Sequence, residues 1–452
     1  MRLTPLDPWI AAKVGQDGGR ADRLAIEAYQ LEKLRETLRL VRARSAFYGH
    51  HLAAAPQELA NLTGLDHFPF TTADDIRDRP LQFLCVSQGE INRVVTLSSS
   101  GTTGQPKRLY FTAGDQESTL DFFHVGMSTL VGPGDRVLIL LPCETPGGVG
   151  DLLATALERL GAVGLRHGPV RDVAKTLEVM IREGANSLVG IPTQVLALAR
   201  YRDENCRRVP LQLKSALLTT DYVPPAIVAA VEGAWGCQVY NHYGMTEMGL
   251  GGGVECQARR GYHLREADLY VEIVDPETGQ RLPEGEQGEV VFTTLTRRGM
   301  PLIRYRTRDI SRFLPGPCPC GTVLKTLARV RERIRGRVEL PGELGLTMAD
   351  LDDALFPLEG VLDFQAALSR DARGVLLDLD VQVLPPVASE GLFGLEQALS
   401  SLPAIRRARE LGLYVSLRSS PGKGHPASGP GKRAIVSDSS PQERAGSDEP
   451  VR

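Results

Sequence analysis

The chain is 452 residues long, which exceeds one ordinary domain and predicts two or three. Hydrophobic residues make up 42% and charged residues 24%, a balance typical of soluble globular proteins rather than of disordered or membrane-spanning chains. The net charge of −3 gives no reason to expect nucleic acid or an anionic membrane as a partner. We find neither a secretory signal nor an apolar run long enough to span a membrane, and the odd number of cysteines, seven, favours reduced thiols in the cytoplasm.

The chain opens with a helical pattern, in which Leu31, Leu34, Leu38 and Val41 form one apolar stripe between charged residues. In "FPFTTADDIRDRP", either Thr71 or Thr72 is expected to cap a second helix. From "RVLILLP" to "QVYNHYG", short apolar strands alternate with helices, which predicts a parallel sheet with helices on its faces.

Residues from about 255 to 330 alternate with a period of two between Gly-containing turns, which predicts a distorted antiparallel barrel. Beyond it, a hairpin, a helix and a strand predict a small α+β unit over residues 335–435. The Gly-, Ser- and Pro-rich end, residues 436–452, is expected to be disordered. The predicted domains are therefore residues 1–334 and 335–435, and the fold class is α/β with a small α+β C-terminal domain.

One loop, "LSSSGTTGQPK" from Leu97 to Lys107, combines hydroxyl side chains, glycines and a lysine. Glycines free the backbone to turn, and exposed N–H groups and hydroxyls can then surround an anion. The loop lacks the Gly-Lys-Ser/Thr end of a P-loop. On composition alone, it is either a phosphate cradle or a polar surface turn.

Three further motifs follow in order: "YNHYGMTEMG" at 240–249, "YRTRD" at 305–309 and "RIRGR" at 333–337. Together with the loop and with N-terminal segments such as "LEKLRETLRLVRARSAFYGHHL", they resemble the AMP-forming adenylating superfamily of acyl-CoA synthetases, and within it the phenylacetate–CoA ligase family. The resemblance covers most of the chain. It implies a large N-terminal α/β domain with a barrel, and a small mobile C-terminal domain.

The resemblance also implies the chemistry: a carboxylate attacks the α-phosphorus of ATP, pyrophosphate leaves, and the acyl-adenylate then reacts with coenzyme A. Lys107, Glu247 and Lys432 are the implied catalytic residues, with Glu247 as the Mg²⁺ ligand and Lys423 as an alternative to Lys432. Asp309 would hold the ribose hydroxyls. The remaining implied nucleotide-binding residues are Ser99, Ser100, Gly101, Thr102, Thr103 and Gly104 around the phosphates, Asn241, His242 and Tyr243 beside the adenine, and Thr246 and Arg337.

Two departures from the family pattern affect the expectations. Arg308 stands where the family usually has Gly, which adds bulk and charge beside the ribose site. The hinge after Arg337 reads "VELPGELGLT" and lacks the usual Asp pair, so transfer to coenzyme A is less firmly implied than adenylation.

A second cluster consists of Cys256 and His263 with Cys318 and Cys320. Four such ligands suit a closed tetrahedral Zn²⁺ site, and some relatives of phenylacetate–CoA ligase look similar here. The alternative is reduced cysteines in a turn beside a surface histidine.

The sequence therefore predicts an ATP-dependent ligase that adenylates an aromatic or arylacetic acid and transfers the acyl group to coenzyme A. Two alternatives stay open: a ligase that uses an amine or a carrier protein as acceptor, and a nucleotide-binding paralogue without activity. The acyl pocket is expected at "PCETPGGVGD" (142–151) and "GIPTQ" (190–194), which follow buried strands. A homodimer is also left open.

Overall fold

A computed structural model describes residues 2–97, 106–201, 211–334, 336–371, 374–384, 390–421 and 432–437. Within these ranges, no helix is both long and apolar enough to cross a membrane. The cysteines that lie in them are free thiols, in agreement with the prediction of reduced cysteines.

The N-terminal part is helical and leads into a hairpin. Thr72 caps the fourth helix in a capping box with Asp75, which decides between the two predicted caps. The predicted stripe is buried at Leu34, Leu38 and Val41 of the second helix. The elements are α1 (Leu6–Lys13), α2 (Arg23–Arg44), α3 (Ala46–His51), α4 (Ala73–Asp78), β1 (Ile91–Leu97), β2 (Lys107–Thr112) and α5 (Ala113–Met127).

The predicted alternation of strands and helices is confirmed. Each strand is short, all but the edge strand β4 are mostly buried, and each helix crosses over the sheet to bring the next strand in parallel. The elements are β3 (Arg136–Ile139), α6 (Val149–Arg159), β4 (Val163–Arg166), α7 (Val173–Arg182), β5 (Ser187–Gly190), α8 (Pro192–Arg200), β6 (Ser215–Leu218), α9 (Pro225–Trp235) and β7 (Gln238–Tyr243).

The region predicted as a barrel divides between two sheets. Its elements are β8 (Gly253–Glu255), β9 (Tyr262–Leu264), β10 (Leu269–Val274), β11 (Gly288–Thr294), β12 (Tyr305–Ser311), β13 (Thr326–Leu327) and β14 (Glu332–Arg333). Four of them form an antiparallel sheet in the order β10-β11-β12-β14. The other three extend the parallel sheet antiparallel to it, in the order β13-β9-β8-β7-β6-β5-β3-β4. Because only a short segment separates β7 from β8, β8 turns back and pairs with the free edge of β7, the last parallel strand.

The C-terminal part is the predicted α+β unit. Its elements are β15 (Arg337–Leu340), β16 (Leu344–Thr347), α10 (Met348–Leu355), β17 (Val361–Asp371), β18 (Gly374–Val383), α11 (Glu390–Ser401), α12 (Pro403–Glu410), β19 (Leu413–Pro421) and β20 (Val436–Ser437). The stretch predicted as one helix is two, because Pro403 starts α12 and cannot donate the N–H bond that would continue α11. The short strand β20 pairs with β17, which corrects the prediction of disorder at residues 436 and 437; residues 438–452 lie outside the described residues.

The C-terminal part packs against α8. Arg200 at the end of α8 donates hydrogen bonds to the carbonyl oxygens of Phe356 (2.7 Å from Nη2), Leu358 (3.0 Å from Nη1) and Val361. Tyr222 also donates from its hydroxyl to Asp353 Oδ1 at 3.1 Å. These contacts place the segment from β15 to β20 over the end of the large sheet where the candidate site lies.

Candidate active site

A cavity of about 1080 Å³ opens at the carboxyl ends of β3, β5, β6 and β7. The chain leaves β3 toward β4 on one side and continues from β5 to β7 on the other, so the cavity lies at the point where the strand order diverges. Open α/β sheets bind ligands at such points. Pro142, Val149 and Ile191 line it, which agrees with the predicted position of the acyl pocket.

Glu247 lies in a short 3₁₀ turn, Thr246–Met248, at the end of β7 and faces the cavity. Its carboxylate forms an ion pair with Lys107 at the start of β2 and accepts a hydrogen bond from Tyr305 Oη at 3.0 Å. Burial opposes ionisation, but the charge and hydrogen bond of Lys107 outweigh it, so the pKa of Glu247 lies below its ordinary value. The carboxylate is therefore charged and ready to hold a cation.

Two buried arginines hold the turn that carries Glu247. Arg297 Nη1 donates to the carbonyl oxygen of Glu247 at 2.7 Å, and Arg265 Nη2 donates to the carbonyl oxygen of Met248. Both side chains also lie over aromatic rings, Arg297 at 4.3 Å from the centroid of Phe111 and Arg265 at 5.4 Å from that of Phe122. The backbone around Glu247 is thus fixed from outside the cavity.

Asp309 is fully buried at the floor of the cavity, on β12. It accepts hydrogen bonds from Tyr243 Oη at 2.9 Å and from Arg333 Nε at 2.6 Å. Arg333 is its cross-strand partner on β14. Two donors therefore hold one carboxylate in place without a ligand, as expected of a group that accepts hydroxyl hydrogens at a fixed position.

Lys432 reaches the same carboxylate from the C-terminal part of the chain. Its Nζ lies 4.0 Å from Asp309 Oδ1, and its side chain is 39% exposed. Removal from water lowers the pKa of Lys432 below its ordinary value, and the charge of Asp309 offsets only part of this shift. The next residue, Arg433, forms a buried ion pair with Asp352 and donates from its backbone N–H to Asp221 Oδ2 at 3.2 Å, which anchors the segment.

Neighbouring side chains of the strand β7 point to opposite faces and contact different partners. Tyr243 points to Asp309, whereas His242 points to the opposite face, where its Nδ1 lies 2.9 Å from Thr219 Oγ1. Burial, with a smaller contribution from the charge of Arg265, lowers the pKa of His242 to about 4, so its imidazole is neutral at pH 7. Asn241 is fully buried and donates from Nδ2 to Glu255 Oε2 at 3.0 Å.

The inner part of the cavity is apolar and aromatic. The ring centroids of Phe122 and Phe123 on α5 lie 6.1 Å and 6.4 Å from that of His242, distances at which aromatic rings interact. The other apolar side chains of this part come from α5, α6 and the sheet: Met127, Leu141, Leu153, Val189, Leu217, Leu250 and Val254. This part suits an apolar ring or chain, and the polar rim suits a nucleotide.

The four predicted zinc ligands meet away from the cavity, between β8, β9 and the turn before β13. All four are buried, and their ligand atoms lie within 4.8 Å of one another. The sulfurs of Cys256 and Cys318 are 3.6 Å apart, near the roughly 3.8 Å that two sulfurs 2.3 Å from one tetrahedral ion would have. Cys320 Sγ lies 3.5 Å from His263 Nε2, and hydrogen bonds with Cys256 first and His263 second hold the pKa of the Cys320 thiol well below its ordinary value. Three sulfurs and one nitrogen in a buried set fit a structural Zn²⁺.

With the geometry described, the chain can be compared with known proteins. Residues 32–295, more than half of the chain, match the family described as AMP-binding enzyme. The chain belongs to this family.

Within the AMP-binding enzymes, it is similar to phenylacetate–coenzyme A ligases. It is 33% identical to the enzyme of Thermus thermophilus over 81% of this chain and 84% of that one. It is 32% identical to the enzyme of Pseudomonas putida, over 69% and 70% of the two chains. A crystal structure of 2-hydroxyisobutyryl-CoA ligase with 2-HIB-AMP has a TM-score of 0.76 at 21% identity, covering 91% of this chain and 89% of that one, which shows a shared fold.

Of the nine predicted catalytic and nucleotide-binding residues that the structure describes, the fold of this AMP-binding enzyme brings seven to one cavity. Lining it are Lys107, His242, Tyr243, Thr246, Glu247, Asp309 and Lys432. Asn241 and Arg337 do not line it; Arg337 lies on β15, where its side chain extends over Gly345. Ser99 to Gly104, in the loop between β1 and β2, and the alternative lysine Lys423 lie outside the described residues.

Sequence reasoning missed three residues that act on the site. Tyr305 shares one strand face with Asp309 at a spacing of four, so the period of two in "YRTRD" could have identified it. Arg333 meets Asp309 because of the register of their strands. Arg297 meets the backbone of Glu247 only because the fold brings these distant parts of the chain together. Arg308, the departure from the family pattern, has a φ of +64°, a conformation that favours glycine, and its side chain turns to Asp74 at 3.6 Å.

Proposed function

We propose that the protein is an ATP-dependent ligase that adenylates an aromatic or arylacetic acid and transfers the acyl group to coenzyme A. The observation that carries this proposal is the convergence of Lys107, Glu247, Asp309 and Lys432 on one cavity with an apolar inner part. The family and the similarity to phenylacetate–coenzyme A ligases support the same reaction.

In this proposal, the charged rim binds ATP. Asp309 accepts hydrogen bonds from the ribose hydroxyls. Lys107 moves from Glu247 to the departing phosphates. Glu247 then holds Mg²⁺, for which carboxylate oxygens are preferred ligands. The bound Mg²⁺ would neutralise phosphate charge. In the sequence, the predicted phosphate loop, Ser99 to Gly104, ends three residues before Lys107, which supports a shared role.

Lys432 supplies a positive charge close to Asp309, the carboxylate proposed to hold the ribose. The α-phosphate is bonded to that ribose, so it would lie near Lys432. As the acid attacks the α-phosphorus, negative charge spreads over the phosphate oxygens, and a lysine positioned beforehand stabilises it. Because Lys432 belongs to the C-terminal part, we propose that residues 335–435 form a separate domain that completes the site for adenylation.

The aromatic inner wall supports an aryl acid as substrate. Phe122, Phe123 and neutral His242 offer ring faces and edges, while the backbone between Gly244 and Glu247 leads from that wall to the nucleotide side. Thr246 lies on this connection. An acid whose carboxylate points to the rim would therefore place its ring against α5.

The Cys256, His263, Cys318 and Cys320 cluster supports a structural zinc ion rather than a catalytic one. It is buried, offers four protein ligands and leaves no open position for a substrate. The cytoplasmic location and the homodimer remain predictions.

The experiment is an assay of pyrophosphate release with ATP, Mg²⁺ and a panel of phenylacetate, benzoate and acetate, with and without coenzyme A. We expect release that depends on the aryl acid, and an aryl-CoA product detected by mass spectrometry. Acid-dependent release without a thioester would favour an amine or carrier-protein acceptor. No release with any acid would leave the nucleotide-binding paralogue.

A further inference from the structure

One face of α5 forms a wall of the inner cavity. Phe122, Phe123, Gly126 and Met127 line it, at the spacing of one side of a helix. Three of these four residues are large and apolar. Gly126 is the exception, and it is the last residue but one of the fifteen-residue helix α5.

The backbone gives no reason for glycine at this position. Gly126 has an ordinary helical conformation, and outside its chain neighbours and the backbone of its own helix, the one described heavy atom within 4 Å of a Cβ built on it is Val254 Cγ1, at 3.6 Å. That distance is an ordinary van der Waals contact. By contrast, Gly244, another cavity residue, would place a Cβ 2.3 Å from the carbonyl oxygen of Leu250. Gly244 is therefore required by the backbone, and Gly126 is not.

The space around Gly126 belongs to the cavity. The residue is buried and lines the cavity, and a Cβ there would meet only Val254 among the described atoms outside its own helix and chain neighbours, so a side chain at this position would border the cavity. A larger residue at 126 would extend into that space between α5 and β8. The missing side chain thus leaves room for part of a ligand.

We propose that Gly126 is a specificity-determining residue, which leaves room for an aryl acid with a bulky ring, such as a fused bicyclic one. This inference rests on the proposed function, because it assigns the ring of the acyl substrate to the inner cavity. The ring of such an acid would lie along Gly126, between Phe122 and Val254.

The test compares Gly126→Ala and Gly126→Leu with wild type, using phenylacetate and 2-naphthylacetate as probes. We expect kcat/KM for 2-naphthylacetate to fall about 10-fold or more in the Ala variant and further in the Leu variant. For phenylacetate, the change in the Ala variant should stay within about 3-fold.

The matched control is Gly114→Ala, an exposed glycine in the first turn of the same helix and outside the cavity. It should leave the ratio of kcat/KM for the two acids unchanged. An unchanged ratio in both Gly126 variants, with folded protein, would overturn the proposal.

A second measurement separates this inference from the proposed function. If wild type released no pyrophosphate with any acid, the proposed function would fail, but the rise in unfolding temperature caused by 2-naphthylacetate would still report on the cavity. A rise in wild type that is lost in Gly126→Leu and kept in Gly114→Ala supports the role of Gly126. An equal rise in wild type and Gly126→Leu, or none in either, contradicts it.

Discussion

At the scale of single residues, the pairing of Lys107 with Glu247 is the feature with the clearest consequence. In this structure, the lysine occupies the carboxylate that we assign to Mg²⁺, and both side chains are largely removed from water, with exposed fractions of 16% and 7%. Removing one partner of a buried pair leaves the other charge uncompensated. The pair therefore stabilises the protein while the nucleotide is absent.

We predict that Lys107→Met and Glu247→Gln each lower acid-dependent pyrophosphate release by orders of magnitude. Each should also lower the free energy of unfolding by about 2–4 kcal/mol, whereas the double variant should lose less than the sum of the two, since neither charge is left unpaired. Chemical denaturation without ligands measures this cycle. Additive losses would contradict the pairing, and a Glu247→Gln variant with wild-type rate and Mg²⁺ dependence would contradict the cation site.

The same pair sets a pH dependence. Because the folded pKa of Glu247 is lowered from 4.5, its contribution to stability is fully present above about pH 4.5 and is lost as the pH falls through the lowered value. In the Lys107→Met variant burial is no longer outweighed, so the folded pKa of Glu247 rises and this acid-side loss should disappear or turn into a gain of stability as the pH falls. Thermal unfolding of both proteins between about pH 3 and 7 checks the direction.

At the scale of elements, the Cys/His cluster brings together parts of the chain whose own strands are too short to hold them together. The turn with Cys318 and Cys320 precedes β13, which is a two-residue strand, while Cys256 and His263 lie at β8 and β9. A structural Zn²⁺ contributes its binding free energy to folding, because an unfolded chain does not present the ligands together. A zinc ion bound by the cluster would therefore fix the end of the large sheet.

We predict about one equivalent of zinc in the purified protein by elemental analysis, and its loss in Cys318→Ser. That variant should unfold at a lower temperature yet retain wild-type KM for ATP where it stays folded, because the cluster lies apart from the cavity. Cys237→Ser, at a buried cysteine outside the cluster, is the control that should keep its zinc. Less than about half an equivalent of zinc in wild type, with no change in Cys318→Ser, would disprove the site.

At the scale of the whole molecule, the position of the C-terminal part decides which residues share the cavity. Arg200 and Tyr222 hold it against the large sheet, and this arrangement brings Lys432 to Asp309. The segment after Arg333 forms the β15–β16 hairpin where the sequence departs from the usual hinge. An enzyme that uses two positions of its small domain would have to break these contacts for the second half-reaction.

We predict that Lys432→Ala slows adenylate formation strongly and leaves the reaction of supplied acyl-adenylate with coenzyme A nearly unchanged. The reason is that Lys432 faces Asp309 in the arrangement seen here, whereas we expect the second half-reaction to use another position of the C-terminal part. Single-turnover measurements of each half-reaction provide the test, with Lys325→Ala, a lysine over the ring of Phe313 and outside the cavity, as control. Equal loss of both half-reactions would indicate a folding role instead, and an unchanged first half-reaction would favour Lys423 or no lysine.

The sequence by itself was sufficient for the order of the elements, the parallel sheet and the family. These features depend on local periodicity and on motifs of adjacent residues, such as the "YGMTE" of 243–247. Such motifs can be recognised without knowledge of the tertiary structure. The sequence also placed Cys256, His263, Cys318 and Cys320 in one cluster, because few residue types bind Zn²⁺; that they hold zinc stays a prediction.

Only the tertiary structure decided which side chains meet. The pairing of Asp309 with Arg333 follows from strand register, and the division of the predicted barrel between two sheets follows from which edge β8 finds unpaired. Asn241 and His242 are neighbours in the motif, yet burial and strand alternation direct one to Glu255 and the other to the aromatic wall. Gly126 carries no signal in the sequence, since the absence of a side chain acquires a role only when the opposite wall of the cavity is known.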